Sequence, residues 1–203
     1  MISIINHGLG NFASVASAIE FLGEKPIITS DKSEIKKSDK IIIPGVGSFN
    51  YAMENLNKLN LIDVLNEEIF VKKKYILGIC LGCQILMQSS EEGKHSKGLG
   101  CINGEVKNFN FQDNFPVPHV GWNEVKTSTD QIFKDLPKNF LMYFNHSYFP
   151  KLENKEYEIG STKYSCNFTS VFRKKNIYGI QPHPEKSQKF GVKLLDNFLH
   201  HVS

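Results

Sequence analysis

The sequence predicts an α/β protein in three layers, a mostly parallel sheet covered by helices on both faces with additional antiparallel hairpins. Two observations carry that expectation. In the first half, short runs rich in Ile and Leu alternate with amphipathic stretches of helical period, the pattern of consecutive βαβ units. After Gly93 the pattern changes to short β-rich pieces separated by Gly, Pro, Asn and Asp turns, which read as hairpins and further strands of the same domain. At 203 residues, 40% of them hydrophobic and 22% charged, the chain is long enough for one sizeable core, so a single domain over residues 1–203 is expected.

Residues 2–6 read as the first strand. The turn His7-Gly8-Leu9-Gly10-Asn11 follows, then a helix with Phe12, Val15, Ile19 and Leu22 on one face and Asn11 as its cap. The G-x-G in this turn lacks the third glycine of a dinucleotide fingerprint, because position 13 is Ala, so it reads as a tight turn. A second strand over 25–29, a short polar helix over 31–37 and a third strand over 40–43 lead to Pro44-Gly45-Val46-Gly47-Ser48-Phe49. Helices from about Tyr51, and from Leu61 to Val71, precede an apolar strand from Tyr75 to Ile79. Leu81, Ile85 and Leu86 then predict a helix from Leu81 to Ser89. Further strands are expected at Gly104 to Phe109, Gly121 to Lys126, Leu141 to Phe149, Glu156 to Ser165, Ser170 to Arg173 and Ile177 to Gln181. Phe190, Leu194, Leu195 and Phe198 mark a closing helix over Gln188 to His201, with His200-His201 as a cation pair at its end or as residues without a role.

Charge and leader patterns exclude several classes of partner. Net charge is +3, yet the lysines are dispersed, and the one dense run, Lys72-Lys73-Lys74, reads as a solvated helix end rather than a nucleic-acid footprint. No apolar stretch approaches bilayer length. Met1-Ile2-Ser3-Ile4-Ile5-Asn6 lacks the charged and small-residue features of a secretion signal, and four cysteines without one imply a reducing cytoplasm.

The chemistry-bearing stretch is Gly78-Ile79-Cys80-Leu81-Gly82-Cys83-Gln84, which places a thiol where strand gives way to helix. Glycines on both sides of Cys80 permit a sharp turn, as in G-x-S-x-G elbows, and a following helix N-terminus favours thiolate. The thiol could also be a small buried hydrophobe, or Cys80 and Cys83 a redox pair. Cys101 and Cys166 stand singly and no second C-x-x-C or H-x-x-x-H pair completes four ligands, so no metal is required by any residue cluster.

A cysteine nucleophile needs a base, and the base an acceptor. His183 follows a short strand on the same sheet edge, and Glu185 shares its side of an extended segment by period-two alternation. The other histidines have plainer readings: His95 in a polar loop, His119 and His146 as satisfied core or interface residues, His7 as a helix cap.

Taken together, Pro44-Gly-Val-Gly-Ser-Phe49, the Cys80 elbow, Gly98-Leu-Gly100, Pro118-His-Val-Gly-Trp-Asn123, Tyr143-Phe-Asn-His-Ser-Tyr148 and His183-Pro-Glu-Lys-Ser187 resemble the triad glutamine amidotransferases. Within that class they resemble the glutaminase subunits of imidazole glycerol phosphate synthase, in order from about residue 2 to about 198. The resemblance implies glutamine hydrolysis by Cys80, His183 and Glu185, with no cofactor. It implies an oxyanion hole from the Leu81 N–H and the Gly45-Val46-Gly47 loop, its glycines turning an N–H inward. Gln84 and Glu92 would line the glutamine pocket, with Ser147 and Tyr148 contributing through their backbone. A (β/α)8-barrel synthase subunit would receive the ammonia in histidine biosynthesis, docking near Asn11, Trp122, Asn123 and Lys186. Three places depart from the family pattern: Cys83 stands where a methionine is common, Pro182 where an aromatic is common, and Asn6-His7-Gly8 where Asp-Tyr-Gly is frequent. Pro182 deletes a backbone N–H beside His183. Three alternatives stay open: a paralogous glutaminase serving a sugar amidotransferase of surface-polysaccharide synthesis, a thiol redox protein using Cys80 and Cys83, and a catalytically silent binding subunit.

Overall fold

Alternate residues of the first strands point to opposite faces of one sheet, and both faces are buried. Ile4, Ile42, Leu77 and Ile79 pack into one apolar cluster with Val15, Leu194 and Phe198, whereas Ile5, Ile41, Ile43 and Ile76 pack into another with Phe49, Leu56 and Leu65. That is the residue alternation of a strand covered on each side by helices. The structure is a computed structural model that describes residues 1–93, 96–109 and 115–202. His95 lies outside the described residues.

The βαβ half follows the expected order. It comprises β1 (Ile2–Ile5), α1 (Phe12–Phe21), β2 (Pro26–Thr29), α2 (Lys32–Lys37), β3 (Lys40–Ile43), α3 (Phe49–Lys58), α4 (Ile62–Asn66) and β4 (Tyr75–Ile79). Asp31 caps α2 by accepting from the N–H groups of Ser33 and Glu34. Asn11 sits at the N-cap of α1, but its side chain accepts from the Ser14 hydroxyl at 2.7 Å instead of a backbone N–H. The helix expected through Val71 ends at Asn66 and continues as a π-turn over Glu67–Val71, where the Lys72 N–H reaches the Glu67 carbonyl. Buried Glu68 in that turn is paired with Lys74, which places the lysine run at a satisfied helix end.

The second half contains α5 (Leu81–Ile85), β5 (Met87–Ser90), β6 (Ser96–Lys97), β7 (Ile102–Asn108), β8 (His119–Thr127), β9 (Asn139–His146), β10 (Tyr148–Leu152), β11 (Glu158–Lys163), β12 (Asn167–Lys174), β13 (Ile177–Ile180) and α6 (Gln188–His200). Among the described residues these build two sheets, ordered β2-β1-β3-β4-β13-β12-β11-β8-β9 and β10-β7-β5-β6. In the large sheet β2 to β13 pair in parallel and β13 to β9 antiparallel, so it is evenly mixed where the sequence had suggested a parallel majority. The hairpins extend the parallel half instead of decorating it.

Two expected elements break at the site. The helix after Cys80 is five residues long, because Met87–Ser90 pairs with β7 and the N–H groups of Leu99 and Ile102 take the Ile85 and Leu86 carbonyls. The strand expected over Leu141 to Phe149 divides at Ser147, where the chain leaves the large sheet as β9 and enters the small one as β10. Both breaks open a concavity at the carboxyl ends of β3, β4 and β13, the edge on which ligands sit in parallel α/β sheets.

Candidate active site

Cys80 occupies a sharp turn between β4 and α5 with φ 52 and ψ −110, a conformation that non-glycine residues rarely adopt. The flanking glycines make the turn possible by close backbone contact. A Cβ at Gly78 would lie 2.5 Å from the Gly82 carbonyl oxygen, and one at Gly82 would lie 1.7 Å from that of Ile43. The Cys80 N–H donates to the Ile180 carbonyl at 2.8 Å, locking the turn to β13.

His183 is brought to this turn by the segment after β13. Its N–H donates to the Tyr143 carbonyl at 2.8 Å, and its carbonyl accepts from the Ser187 hydroxyl, so Pro182 removes no hydrogen bond that holds His183. Nδ1 lies 2.8 Å from Glu185 Oε1, and both side chains are 2% exposed. They meet across a 3-10 turn over Pro184–Lys186, not by the strand alternation read from sequence. Burial pulls the His183 pKa down, but the Cys80 sulfur and then Glu185 outweigh it and raise the pKa to about 10. Nε2 is buried and makes no hydrogen bond of ordinary geometry, although Cys80 is close enough to act on its charge. The imidazole is therefore poised as a cation beside a sulfur, with its second nitrogen fixed by a buried carboxylate.

A cavity of about 260 Å³ opens in front of Cys80 and is lined by Val46, Gln84, Glu92, Ser147 and Tyr148 among others. Gln84 is fixed there: its amide donates to the Tyr148 carbonyl at 2.8 Å and to Gln181 Oε1 at 3.0 Å. Glu92 Oε2 accepts from the Phe49 N–H at 2.9 Å, so the carboxylate also caps the first turn of α3. A larger groove of about 690 Å³ lies against the small sheet near Lys97, Gly104 and Lys151. Among the described residues its lining holds neither thiol nor imidazole, so the smaller cavity is the chemical site.

The oxyanion-hole expectation needs correction for this conformation. The Leu81 N–H donates to the Gly45 carbonyl oxygen at 3.4 Å, so the loop presents an acceptor where an inward N–H was expected. Glycine permits either peptide orientation, and here the carbonyl faces in because it satisfies the first N–H of α5.

A model of the class-I glutamine amidotransferase family matches residues 4–202. The chain belongs to that family. Members similar to it include two proteins of Methanococcus maripaludis, imidazole glycerol phosphate synthase subunit HisH 2 and subunit HisH 1. The first is 48% identical over 98% of each chain, the second 40% identical over 98% of each. Among solved structures, that of PurLQS from Thermotoga maritima superposes with a TM-score of 0.76 at 18% identity, covering 100% of this chain and 98% of that one, which shows the shared fold.

For a class-I amidotransferase, the remaining residues singled out in sequence divide into two groups. Trp122 lies in β8, 46% exposed, edge-on to Tyr143 at 6.0 Å, so it is neither core nor turn. Lys186 Nζ stands 5.6 Å from the same Tyr143 ring, which gathers these residues on one face. Asn123 is instead engaged inward, with Nδ2 3.1 Å from His119 Nε2 and 3.0 Å from the Lys163 carbonyl. Asn11 lies at the start of α1, on the loop whose Leu9 packs against Gly47. His200 forms ion pairs with Asp196 and Glu24, the helix-end role expected of it.

Several site residues were not assigned to the site from sequence. Asn145, His146 and Pro118 line the cavity. His7 is fully buried and its Nε2 holds the Pro44 carbonyl at 2.7 Å, so it braces the Gly45-Val46-Gly47 loop rather than a helix. Gln181, 0% exposed, donates through Nε2 to Cys80 Sγ at 3.6 Å. The Pro-His motif beside it drew attention to its neighbour.

Proposed function

We propose that this chain is the glutaminase subunit of a two-component synthase, hydrolysing glutamine through Cys80 and passing ammonia to a partner. The observation that carries the reading is the buried Nδ1 to Glu185 contact of His183 on the sheet edge that also presents Cys80. Cys80 Sγ attacks the side-chain carboxamide carbon, and His183 gives its Nε2 proton to the departing nitrogen, leaving a γ-glutamyl thioester and ammonia. Water then attacks the thioester while His183 takes its proton, and glutamate leaves as the thiolate reforms. Glu185 keeps the imidazole in one orientation through its contact with Nδ1. Tetrahedral oxyanions are held by the Leu81 N–H together with a donor from the Gly45-Val46-Gly47 loop. Glu92 and the free oxygen of Gln84 receive the ammonium of glutamine, and backbone N–H groups at Ser147 and Tyr148 receive its carboxylate.

The ammonia recipient is read as a (β/α)8-barrel synthase of histidine biosynthesis, in keeping with the names of the two Methanococcus relatives, with Asn11, Trp122, Asn123 and Lys186 at or beside the docking face. Among the described residues no helix is long and apolar enough to cross a membrane, and no cluster of three His, Cys, Asp or Glu side chains could hold a metal ion. The reading places a single-domain enzyme in the cytoplasm, with neither nucleic acid nor membrane as partner.

A second recipient is a paralogous system, although both Methanococcus relatives, at 48% and 40% identity, carry the same synthase-subunit name. A duplicated glutaminase is free to serve a sugar amidotransferase. Reconstitution decides: glutamate release stimulated by the barrel subunit with its phosphoribulosyl substrate supports histidine synthesis, and stimulation only by a sugar-modifying partner overturns it.

A further inference from the structure

The elbow helix is five residues long, too short to supply much dipole to the thiol, which directs attention to what else touches the sulfur. As a thiol, Cys80 has an acceptor in the Asn145 carbonyl at 3.9 Å. Among the described residues, the side-chain N–H aimed at it in ordinary geometry is that of Gln181, at 3.6 Å. We propose that Gln181 is the positioning residue that orients the Cys80 sulfur for attack by donating its amide N–H to it.

The orientation of the Gln181 amide decides the matter, because a flipped carboxamide would turn its oxygen toward the sulfur and repel a thiolate. Two donors fix it. Gln84 Nε2 donates to Gln181 Oε1 at 3.0 Å, and the Cys83 thiol approaches the same oxygen at 3.8 Å. Burial keeps that thiol protonated, pushing its pKa well up, with Cys80 adding to the effect. Gln84 cannot itself flip, since its amide nitrogen also donates to the Tyr148 carbonyl. With the oxygen committed to Gln84 and Cys83, the nitrogen of Gln181 must face Cys80. Cys83 is thus a donor in this network and not a redox partner, which gives a role to the position where the family more often carries methionine. The network also ties the thiol to the cavity wall, because Gln84 and Tyr148 line it.

This inference rests on the glutaminase reading for its biological meaning, but its test does not depend on turnover. The charged or titratable groups facing Cys80 are His183 and Glu185 from the turn after β13, Cys83 from α5 and His146 from β9, with Glu92 across the cavity. His183, Glu185, His146 and Glu92 keep their own partners when Gln181 alone is changed, while the Cys83 thiol loses its acceptor in the leucine variant. The rate of Cys80 carbamidomethylation by iodoacetamide is followed from pH 5 to 10 by mass spectrometry of the Cys80 peptide, which separates it from exposed Cys166. Gln181→Leu is expected to move the midpoint to higher pH by roughly one unit and to slow labelling at neutral pH about tenfold, as loss of a hydrogen bond to a charged group predicts. Gln181→Glu keeps the shape and replaces the donor with oxygen, and is expected to move it at least as far; it also serves if the leucine variant does not fold. An unchanged midpoint in either folded variant overturns the proposal, leaving Gln181 as a space-filling amide. Glutamine hydrolysis by Cys80→Ser tests the underlying glutaminase reading separately.

Discussion

The Leu81 N–H donates to the Gly45 carbonyl oxygen, so a donor that an oxyanion at Cys80 would need is already occupied. Catalysis through this pair requires the Gly45–Val46 peptide to rotate, replacing an acceptor by an N–H. Gly45 is closely packed in the observed state, where a Cβ would lie 2.9 Å from Leu81 Cβ and 3.2 Å from the Gly82 nitrogen. A methyl group at Gly45 removes the freedom that lets this peptide take both orientations, so Gly45→Ala is expected to lower kcat by about 10² to 10³, the value of one oxyanion-hole donor, with a smaller change in KM. Steady-state glutamate release with the partner present measures it; a selective rise in KM would point to the binding pocket instead.

The two cysteines of the elbow are expected to separate cleanly. Cys80→Ser should abolish glutamine hydrolysis, because a serine in this setting lacks the acidity that the imidazole pair exploits. Cys83→Ser keeps a donor to Gln181 Oε1 and should retain activity within a few-fold. Loss of activity in both variants would restore the redox reading.

Glu185 is expected to act through His183. Replacing it with glutamine keeps the shape but removes the buried charge that, after the Cys80 sulfur, raises the imidazole pKa toward about 10. The direction of the change is downward, so the alkaline limb of the pH–kcat/KM profile should move to lower pH in Glu185→Gln. The rate at neutral pH should fall by about 10² to 10⁴, the range for a mispositioned acid–base group. An unshifted alkaline limb would mean that Glu185 does not govern the imidazole.

These residues also mark what was legible in the sequence. Cys80 between glycines and His183 two residues before Glu185 were readable because covalent spacing dictates both elbow and turn. Ile41, Ile42 and Ile43 announced a strand buried on both faces because the run is short, β-branched and ended by Pro44-Gly45, and successive strand residues point to opposite faces. The division at Ser147 was not readable, since the apolar pattern of β9 and β10 is continuous and only pairing with different sheets separates them. The short α5 was missed for a related reason: Leu81, Ile85 and Leu86 fit a longer helix, and β7 overrides the local preference. Gln181 was passed over and His7 was read as a helix cap, because the role of a polar side chain depends on buried partners that the sequence does not name. Peptide orientation at Gly45 is invisible in any sequence, because glycine is chosen for permitting more than one.

Exposed apolar and cationic groups around Tyr143 yield an expectation for docking. Trp122 meets the ring edge-on, Lys186 lies near it, and Val120 and Leu141 are exposed on the same edge hairpin. Aromatic anchors of this kind carry a large share of interface energy. Trp122→Ala is expected to weaken binding of the barrel subunit by about 30-fold or more, corresponding to about 2 kcal/mol, while saturating partner restores turnover. Titration calorimetry against the barrel subunit reads the first, and glutamate release at high partner concentration the second.

The buried imidazoles set the final expectation, on stability against pH. His119 Nδ1 lies 3.0 Å from His146 Nε2, and His146 Nδ1 donates to the Tyr148 carbonyl at 2.8 Å, so the proton between the rings belongs to His119. Burial lowers the pKa of His119 to about 4 and of His146 to about 3, and lowers that of His7 as well. His119 and His146 are neutral in the folded protein and titrate near 6.5 when unfolded, so the unfolded chain binds more protons below pH 6.5, and His7 shifts in the same direction. Stability from this source is complete above 6.5 and is lost as pH falls through that value toward 4. His183 has the opposite sign, with its folded pKa raised, so its contribution is present below 6.5 and lost as pH rises through about 10. Between pH 6 and 5 His183 is protonated in both states and drops out. In that window the unfolding free energy should fall with pH, each neutral imidazole contributing up to about 1.4 kcal/mol per unit. His119→Phe keeps the stacking against Tyr164 and Phe144 while removing one titrating ring. Urea unfolding at pH 6.0, 5.5 and 5.0 should show a shallower slope in this variant by about one proton equivalent; an identical slope would mean that His119 is charged in the fold.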